Sequence, residues 1–219
     1  MLQGPAYRLC TARLQLECAA PADAHEMHEV VCAERVRLAE HLLWAREEPL
    51  AFDVRLQVLR TLRARFDQSV EYVWTMREGE HFDGMVGLHP SGSSQARSIG
   101  YWLRAAACGR GLATEAVCAV LVAAFEVEGA EQVEIHTAAS NVRSLQLAAR
   151  LGFVRNACKP GSERPLSTAD EPADLELHVL RRSAAANALR RATAVVALDV
   201  LGRKLFDSTL LRPSVLSAR

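Results

Sequence analysis

Cys108-Gly109-Arg110-Gly111-Leu112-Ala113-Thr114-Glu115 is the stretch on which the fold turns. It follows Ser98 to Leu103 (SIGYWL), a β-rich run, and it opens an apolar run from Leu112 to Glu128 that reads as a helix. Strand, tight glycine turn and helix in that order make an anion-binding corner. The first N–H groups of a helix have no partner within it and carry the positive end of its dipole. Glycines let that backbone approach a phosphate closely, and Arg110 can add a charge-assisted contact. No Gly-Lys-Ser/Thr follows, so this is not a Walker A loop, and the six-residue glycine spacing of a dinucleotide fingerprint is absent.

Downstream, Gln132 to Ala138 alternates Val133, Ile135 and Thr137 and reads as a strand. Asn141 to Leu151 is a helix that Asn141 can cap and Gly152 can end, with Ser144 one turn in and facing the same side as Asn141. Phe153 to Ala157 and Leu175 to Leu180 are closing strands, and the stretch 159–174 between them, with its prolines, is an irregular loop. Upstream, Arg13 to Glu17 is a short strand, and Asp23 with Glu26 has capping-box spacing for a helix toward Ala33, with a second segment to Trp44. Val54, Val58, Leu62 and Phe66 recur every four residues in a surface helix from Val54 to Ser69. Glu71 to Arg77 and His81 to Leu88 form a hairpin turning at Gly79-Glu80, and Pro90 to Gln95 is a loop. The order of elements specifies an α/β (α+β) sandwich with a mixed sheet.

The chain has 219 residues, 50% hydrophobic and 24% charged, the balance of a soluble globular domain that folds without a metal or disulfide staple. No apolar run approaches the ~18 residues of a membrane span. The start, MLQGPAYRLC, lacks a basic segment followed by an apolar core, so a cytoplasmic protein is expected. The cysteines Cys10, Cys18, Cys32, Cys108, Cys118 and Cys158 form no C-x-x-C pair, and no metal site is expected. The net charge of zero is uneven, because residues 181–219 hold eight basic and two acidic side chains. In that tail Leu189, Ala192, Val196 and Val200 form one stripe at helical spacing, widened by Val195, Leu198, Leu201 and Leu205. Residues 184–206 are therefore expected to be at least partly helical and to dock on their own domain or on a second copy of the chain. An arm for ribosomal RNA is the second choice. The expected division is a domain over 1–182 and a basic extension over 183–219.

Four motifs in order, Ile99-Gly100-Tyr101-Trp102-Leu103, Gly109 to Ala116 (GRGLATEA), Asn141-x-x-Ser144 and Leu151-Gly152-Phe153, resemble the GNAT superfamily of acetyl-CoA-dependent N-acetyltransferases. The resemblance spans roughly 8–182 and is closest to the branch that acetylates alanine or serine at ribosomal-protein N-termini. It implies a GNAT-like sandwich with a mostly antiparallel sheet and helices on both faces. It implies acetyl-CoA as co-substrate, with the backbone of Trp102, Leu103 and Arg104 along the pantetheine arm. The loop of Cys108, Gly109, Arg110, Gly111, Leu112, Ala113 and Thr114 would hold the pyrophosphate, and Asn141 would sit near the thioester. Ser144 would stand where this branch protonates the departing thiolate, and Glu163 where it carries a catalytic glutamate.

The chain departs from the pattern at three places. Cys108 replaces the usual Arg or Gln, Ala148 replaces a common tyrosine acid, and Ser98 replaces a frequent glutamate. An α-ammonium has a pKa near 8, so a weak base or water suffices to deprotonate it. Glu163 is preferred for that role over His136, which shares a strand face with Glu134. The reaction expected is direct attack of a primary amine on acetyl-CoA. A protein N-terminal α-amine is the leading acceptor, and a small-molecule amine the alternative. A degenerate acyl-CoA-binding module is the reading from another class.

Overall fold

The computed structural model describes residues 4–156, 175–192 and 194–210. Its strands are β1 (Arg8–Cys10), β2 (Gln15–Cys18), β3 (Tyr72–Glu78), β4 (His81–Ser91), β5 (Ser93–Leu103), β6 (Gln132–Ala138), β7 (Val154–Asn156), β8 (Leu175–Arg181), β9 (Val196–Leu198) and β10 (Lys204–Asp207). Its α-helices are α1 (Ala24–Ala39), α2 (Phe52–Asp67), α3 (Leu112–Val122), α4 (Val142–Leu151) and α5 (Ala186–Arg191). One sheet holds all the strands in the order β10-β9-β1-β2-β3-β4-β5-β6-β8-β7. Every neighbouring pair is antiparallel except β5 with β6.

Alternation along the strands divides the core between two faces. Leu16, Trp74, Met76, Val86, Leu88, Ile99, Leu103, Val133 and Ile135 join α3, α4 and α5 in the larger cluster. Val73, Met85 and Trp102 face α1 and α2 in the smaller one. α3 is buried over almost its whole length, which its apolar composition requires.

Several elements differ from the sequence reading. Pro90 to Gln95 is no loop, because β4 and β5 pair across Pro90↔Arg97 and Ser91↔Ser93 and turn at Gly92. A register shift between Pro90 and Ser91 accommodates the proline. α1 continues unbroken to Ala39, and α3 gives way at Ala123 to a π turn through Val127. α2 faces inward with Leu59 and Phe66 and leaves Val54 exposed. The rotation is possible because Arg55, carried inward with that face, pairs with buried Glu48. Asp23 accepts the N–H of Ala20 at 2.8 Å rather than capping forward, and it joins Glu26 on Arg77.

The tail is the largest difference. Its helix ends at Arg191, and the apolar residues beyond alternate instead, so Val196 to Leu198 pairs with Arg8 to Cys10 and Lys204 to Asp207 pairs back on β9. Ala188, Ala192, Val195 and Ala197 are buried in the main core, so the docking is within the chain.

Candidate active site

β5 and β6 pair only at Ala96↔Gln132, Arg97↔Val133 and Ser98↔Glu134. Beyond that point β6 stays with β8 as far as Ala138, whereas β5 stays with β4 as far as Leu103. The two strands diverge, and among the described residues the edge of β5 from Ile99 onward has no strand partner on that side. Arg104 donates its N–H to Asp83 O at 2.9 Å. By the alternation of an antiparallel ladder, Trp102 likewise turns toward β4, and the peptide groups of Ile99, Tyr101 and Leu103 point into the opening. The Leu103 carbonyl there accepts from Arg37 at 2.7 Å.

Beneath the end of β5 lies a glycine that the sequence reading did not single out. Gly84 in β4 has φ of +141°, and a Cβ on it would lie 2.1 Å from the Trp102 carbonyl oxygen. A register shift in the β3–β4 ladder falls beside it. Only a residue without a side chain lets β4 pass this close under the end of β5. Isolated glycine in a strand was the available signal.

At the mouth of the opening, Gly109 and Gly111 have φ of +78° and +80°. The loop N–H groups of Gly109, Arg110 and Gly111 have no acceptor among the described residues, and the first turn of α3 adds its own free donors. A Cβ on Gly109 would meet nothing within 4 Å, so the space before the loop is open. These donors fit a pyrophosphate. The Arg110 side chain is engaged elsewhere, on Glu78 at 2.5 Å, and the Cys108 thiol lies 3.4 Å from the Arg104 carbonyl.

Two residues from the far end of the sequence hold this loop. Arg13 donates to the Arg110 carbonyl at 3.0 Å and to Glu115 at 2.7 Å, and Thr11 donates to Glu115 at 2.6 Å. Burial pushes the Glu115 carboxyl up, but these hydrogen bonds outweigh it and hold the group below its ordinary value of 4.5. The turn between β1 and β2 thus fastens the first turn of α3. No local pattern announces a contact across this sequence separation.

On the main-core face, Asn141 caps α4 by accepting the Ser144 N–H at 3.2 Å. Its side-chain amide has no acceptor among the described residues. Ser144 Oγ lies 3.0 Å from Tyr101 Oη, so α4 and β5 meet across the opening through two hydroxyls. Burial pushes the Tyr101 phenol up against the opposing hydrogen bond with Ser144, and the phenol stays protonated at neutral pH. Tyr101 stands within a motif that was quoted, but its partner could not be read from it. Ala148 is fully buried.

On the other face, Glu134 accepts from Ser91 at 2.5 Å and from Gln132 at 2.8 Å, and His136 Nε2 lies 3.0 Å from it. The His136 bond, more than burial, sets the carboxyl, which is held below its ordinary value. With Nε2 donating to Glu134 and only 8% of its side chain exposed, His136 is shielded from a ligand. Glu163 lies outside the described residues.

The family model of the Acetyltransferase (GNAT) domain matches residues 13–154. No curated protein sequence matches the chain. Among solved structures, RimL, the ribosomal L7/L12 α-N-protein acetyltransferase, in complex with coenzyme A superimposes with a TM-score of 0.69 at 16% identity, over 80% of this chain and 97% of that one. RimJ of Mycobacterium smegmatis in complex with a CoA disulfide gives 0.70 at 19% identity, over 88% and 98%. The microcin C7 self-immunity acetyltransferase MccE in complex with acetyl-CoA and AMP gives 0.65 at 16%, over 78% and 93%. No helix among the described residues is long and apolar enough to cross a membrane. With the splayed strands and the glycine loop in place, and the domain match covering well over half of the sequence, the chain belongs to the GNAT family of acetyl-CoA-dependent acetyltransferases.

Proposed function

We propose that this protein transfers the acetyl group of acetyl-CoA to the N-terminal α-amine of a protein. The observation that carries the donor half is the free β5 edge ending at a loop whose glycine N–H groups face open space. The pyrophosphate would take the N–H groups of Gly109 to Ala113, the pantetheine arm would run along Tyr101 and Leu103, and Asn141 would donate to it near the thioester. Holding two reactants in line lowers the barrier by up to ~7–11 kcal/mol, so positioning is the main contribution. Ser144, with Tyr101 behind it, would return a proton to the leaving thiolate. Several structural neighbours bear names of ribosomal-protein acetyltransferases, and this supports a protein acceptor, reached in the cytoplasm. In this reading the tail completes the fold, and neither a dimer through its helix nor an RNA contact is needed.

The test is release of free CoA from acetyl-CoA with a panel of peptides against a panel of small amines. Turnover confined to peptides with a free α-amine supports the reading, and turnover confined to small amines replaces it. Tight CoA binding without any turnover would identify a binding module instead.

A further inference from the structure

On the face of the sheet opposite Ser144 and Tyr101 lies an imidazole that no motif marks. His89 of β4 stands across from Ser98 of β5, and Ser98 forms with Glu134 the last pair before β5 and β6 part. His89 Nδ1 lies 2.8 Å from Oε2 of Glu71, a carboxylate only 2% exposed. The other oxygen of Glu71 accepts from Arg65 of α2. Burial pushes Glu71 up, but the His89 hydrogen bond, the His89 charge and Arg65 outweigh it and hold the carboxyl below its ordinary range. An ionised carboxylate only accepts, so Nδ1 must be the donor, and in the neutral ring Nε2 then carries the lone pair.

Nε2 has no partner among the described residues. It lies over a bare patch of sheet, where Gly87 of β4 pairs with Gly100 of β5. A Cβ on Gly87 would come within 2.4 Å of Nε2, and a Cβ on Gly100 within 3.8 Å. The ring therefore lies along its own strand over Gly87, with Nε2 beside Gly100, the second residue of the unpaired edge of β5. Its side chain is 34% exposed, so a ligand can reach it. A histidine kept for packing alone needs neither a buried carboxylate fixing its tautomer nor a floor cleared of side chains. His136, also held by a carboxylate, differs in that its side chain is only 8% exposed. The charged groups around His89 are Glu71, Arg65 and, across Ser98, Glu134 with His136.

We propose that His89 is the general base for the acceptor amine, with Glu71 as the residue that positions it. The inference rests on the acetyl-transfer reading above. Nε2 takes a proton from the acceptor ammonium, and the freed nitrogen lone pair attacks the acetyl carbonyl carbon. The carbon–sulfur bond breaks, the thiolate takes a proton from Ser144 on the opposite face, and the proton shed by the new amide nitrogen returns through solvent to restore the Ser144 hydroxyl. The ring later passes its proton to solvent. Base and acid thus lie on the two sides of the splayed sheet.

The experiment follows CoA release with the best acceptor from pH 6 to pH 9.5, for the wild type, His89→Gln, His89→Ala and Glu71→Gln. His89→Gln should lose about 10²-fold in kcat/KM near pH 7. The deficit should shrink as pH rises past ~8, where an α-amine is already unprotonated. Calorimetric affinity for CoA should be unchanged. Free imidazole should restore part of the rate to His89→Ala, and Glu71→Gln should show a smaller loss with a displaced pH profile. Wild-type rates in His89→Gln at pH 7 would overturn the assignment. So would a loss that is equal at every pH and untouched by imidazole. A wild-type protein that acetylates no amine would instead refute the acetyl-transfer reading on which the assignment stands.

Discussion

The proposed donor side and the proposed acceptor side of the sheet are built from different materials. The donor side is backbone: the loop N–H groups of Gly109 to Gly111 and the open edge of β5, with Asn141 one helix away. The acceptor side is side chains brought from separate elements, with Glu71 before β3, Arg65 on α2, His89 on β4 and Glu134 on β6. A ligand held by backbone requires a particular chain conformation, and that requirement shows in local residue choice. A ligand met by side chains requires only that distant positions converge.

The contrast breaks or sharpens under mutation. Gly111→Val should have the largest effect, because a β-branched residue does not hold φ near +80°. The loop would re-aim its N–H groups, and CoA binding by calorimetry should fall by at least about 10²-fold for a stability cost of about 1–2 kcal/mol. Retained CoA affinity would show that the donor side does not rest on this backbone. Gly84→Ala should follow, costing about 3 kcal/mol in denaturant unfolding through its collision with the Trp102 carbonyl. CoA affinity should weaken with it, since the strand displaced is the one that lines the opening. Wild-type stability in the Gly84→Ala variant would mean that β4 has room to shift.

Ser144→Ala should lower kcat about 10²-fold with little change in the KM for acetyl-CoA. Tyr101→Phe, which leaves Ser144 in place, should lower kcat by about tenfold. Equal effects from the two would make the hydroxyl pair a single unit, and no effect from either would hand proton delivery to water. Glu115→Gln should have the smallest effect, and only on stability. The Glu115 carboxyl is held below 4.5 in the folded protein, so its contribution is present above that value and is lost as pH falls through the folded pKa. The melting temperature of the wild type should therefore fall more steeply below pH 4 than that of Glu115→Gln, as differential scanning calorimetry can measure.

What the sequence disclosed follows the same division. The glycine corner, the Asn141 cap and the Gly152 stop were legible because each is a local conformational demand. Gly84 was visible only as a glycine in a strand, because its reason is a carbonyl on the neighbouring strand. Arg13, which is 102 positions from Glu115, gave no signal. Neither did the meeting of Tyr101 with Ser144 or of Glu71 with His89. In the tail, Leu189 to Leu205 satisfied a helical period, but the strand edge left open by β1 offered backbone partners that a lone helix could not use. On α2 the helical stripe holds at Leu62 and Phe66 but slips by one residue at its start, where Arg55 and Leu59 turn inward, and Arg55 is tolerated there only with Glu48 beside it.

The pairing of residues 8–10 with 196–198 also bears on how the protein is made. Ribosomes deliver chain at about 5–20 residues per second, so β1 is synthesised roughly ten seconds or more before the strand that covers its outer edge. Through that interval β1 has an open row of N–H and C=O groups, the surface on which strands of neighbouring nascent chains can add. Closing the sheet requires a contact of nearly the longest sequence separation the chain allows, which slows the final step of folding. Conditions that crowd nascent chains should therefore lower the yield of this protein more than that of a chain whose first strand is covered by an early neighbour.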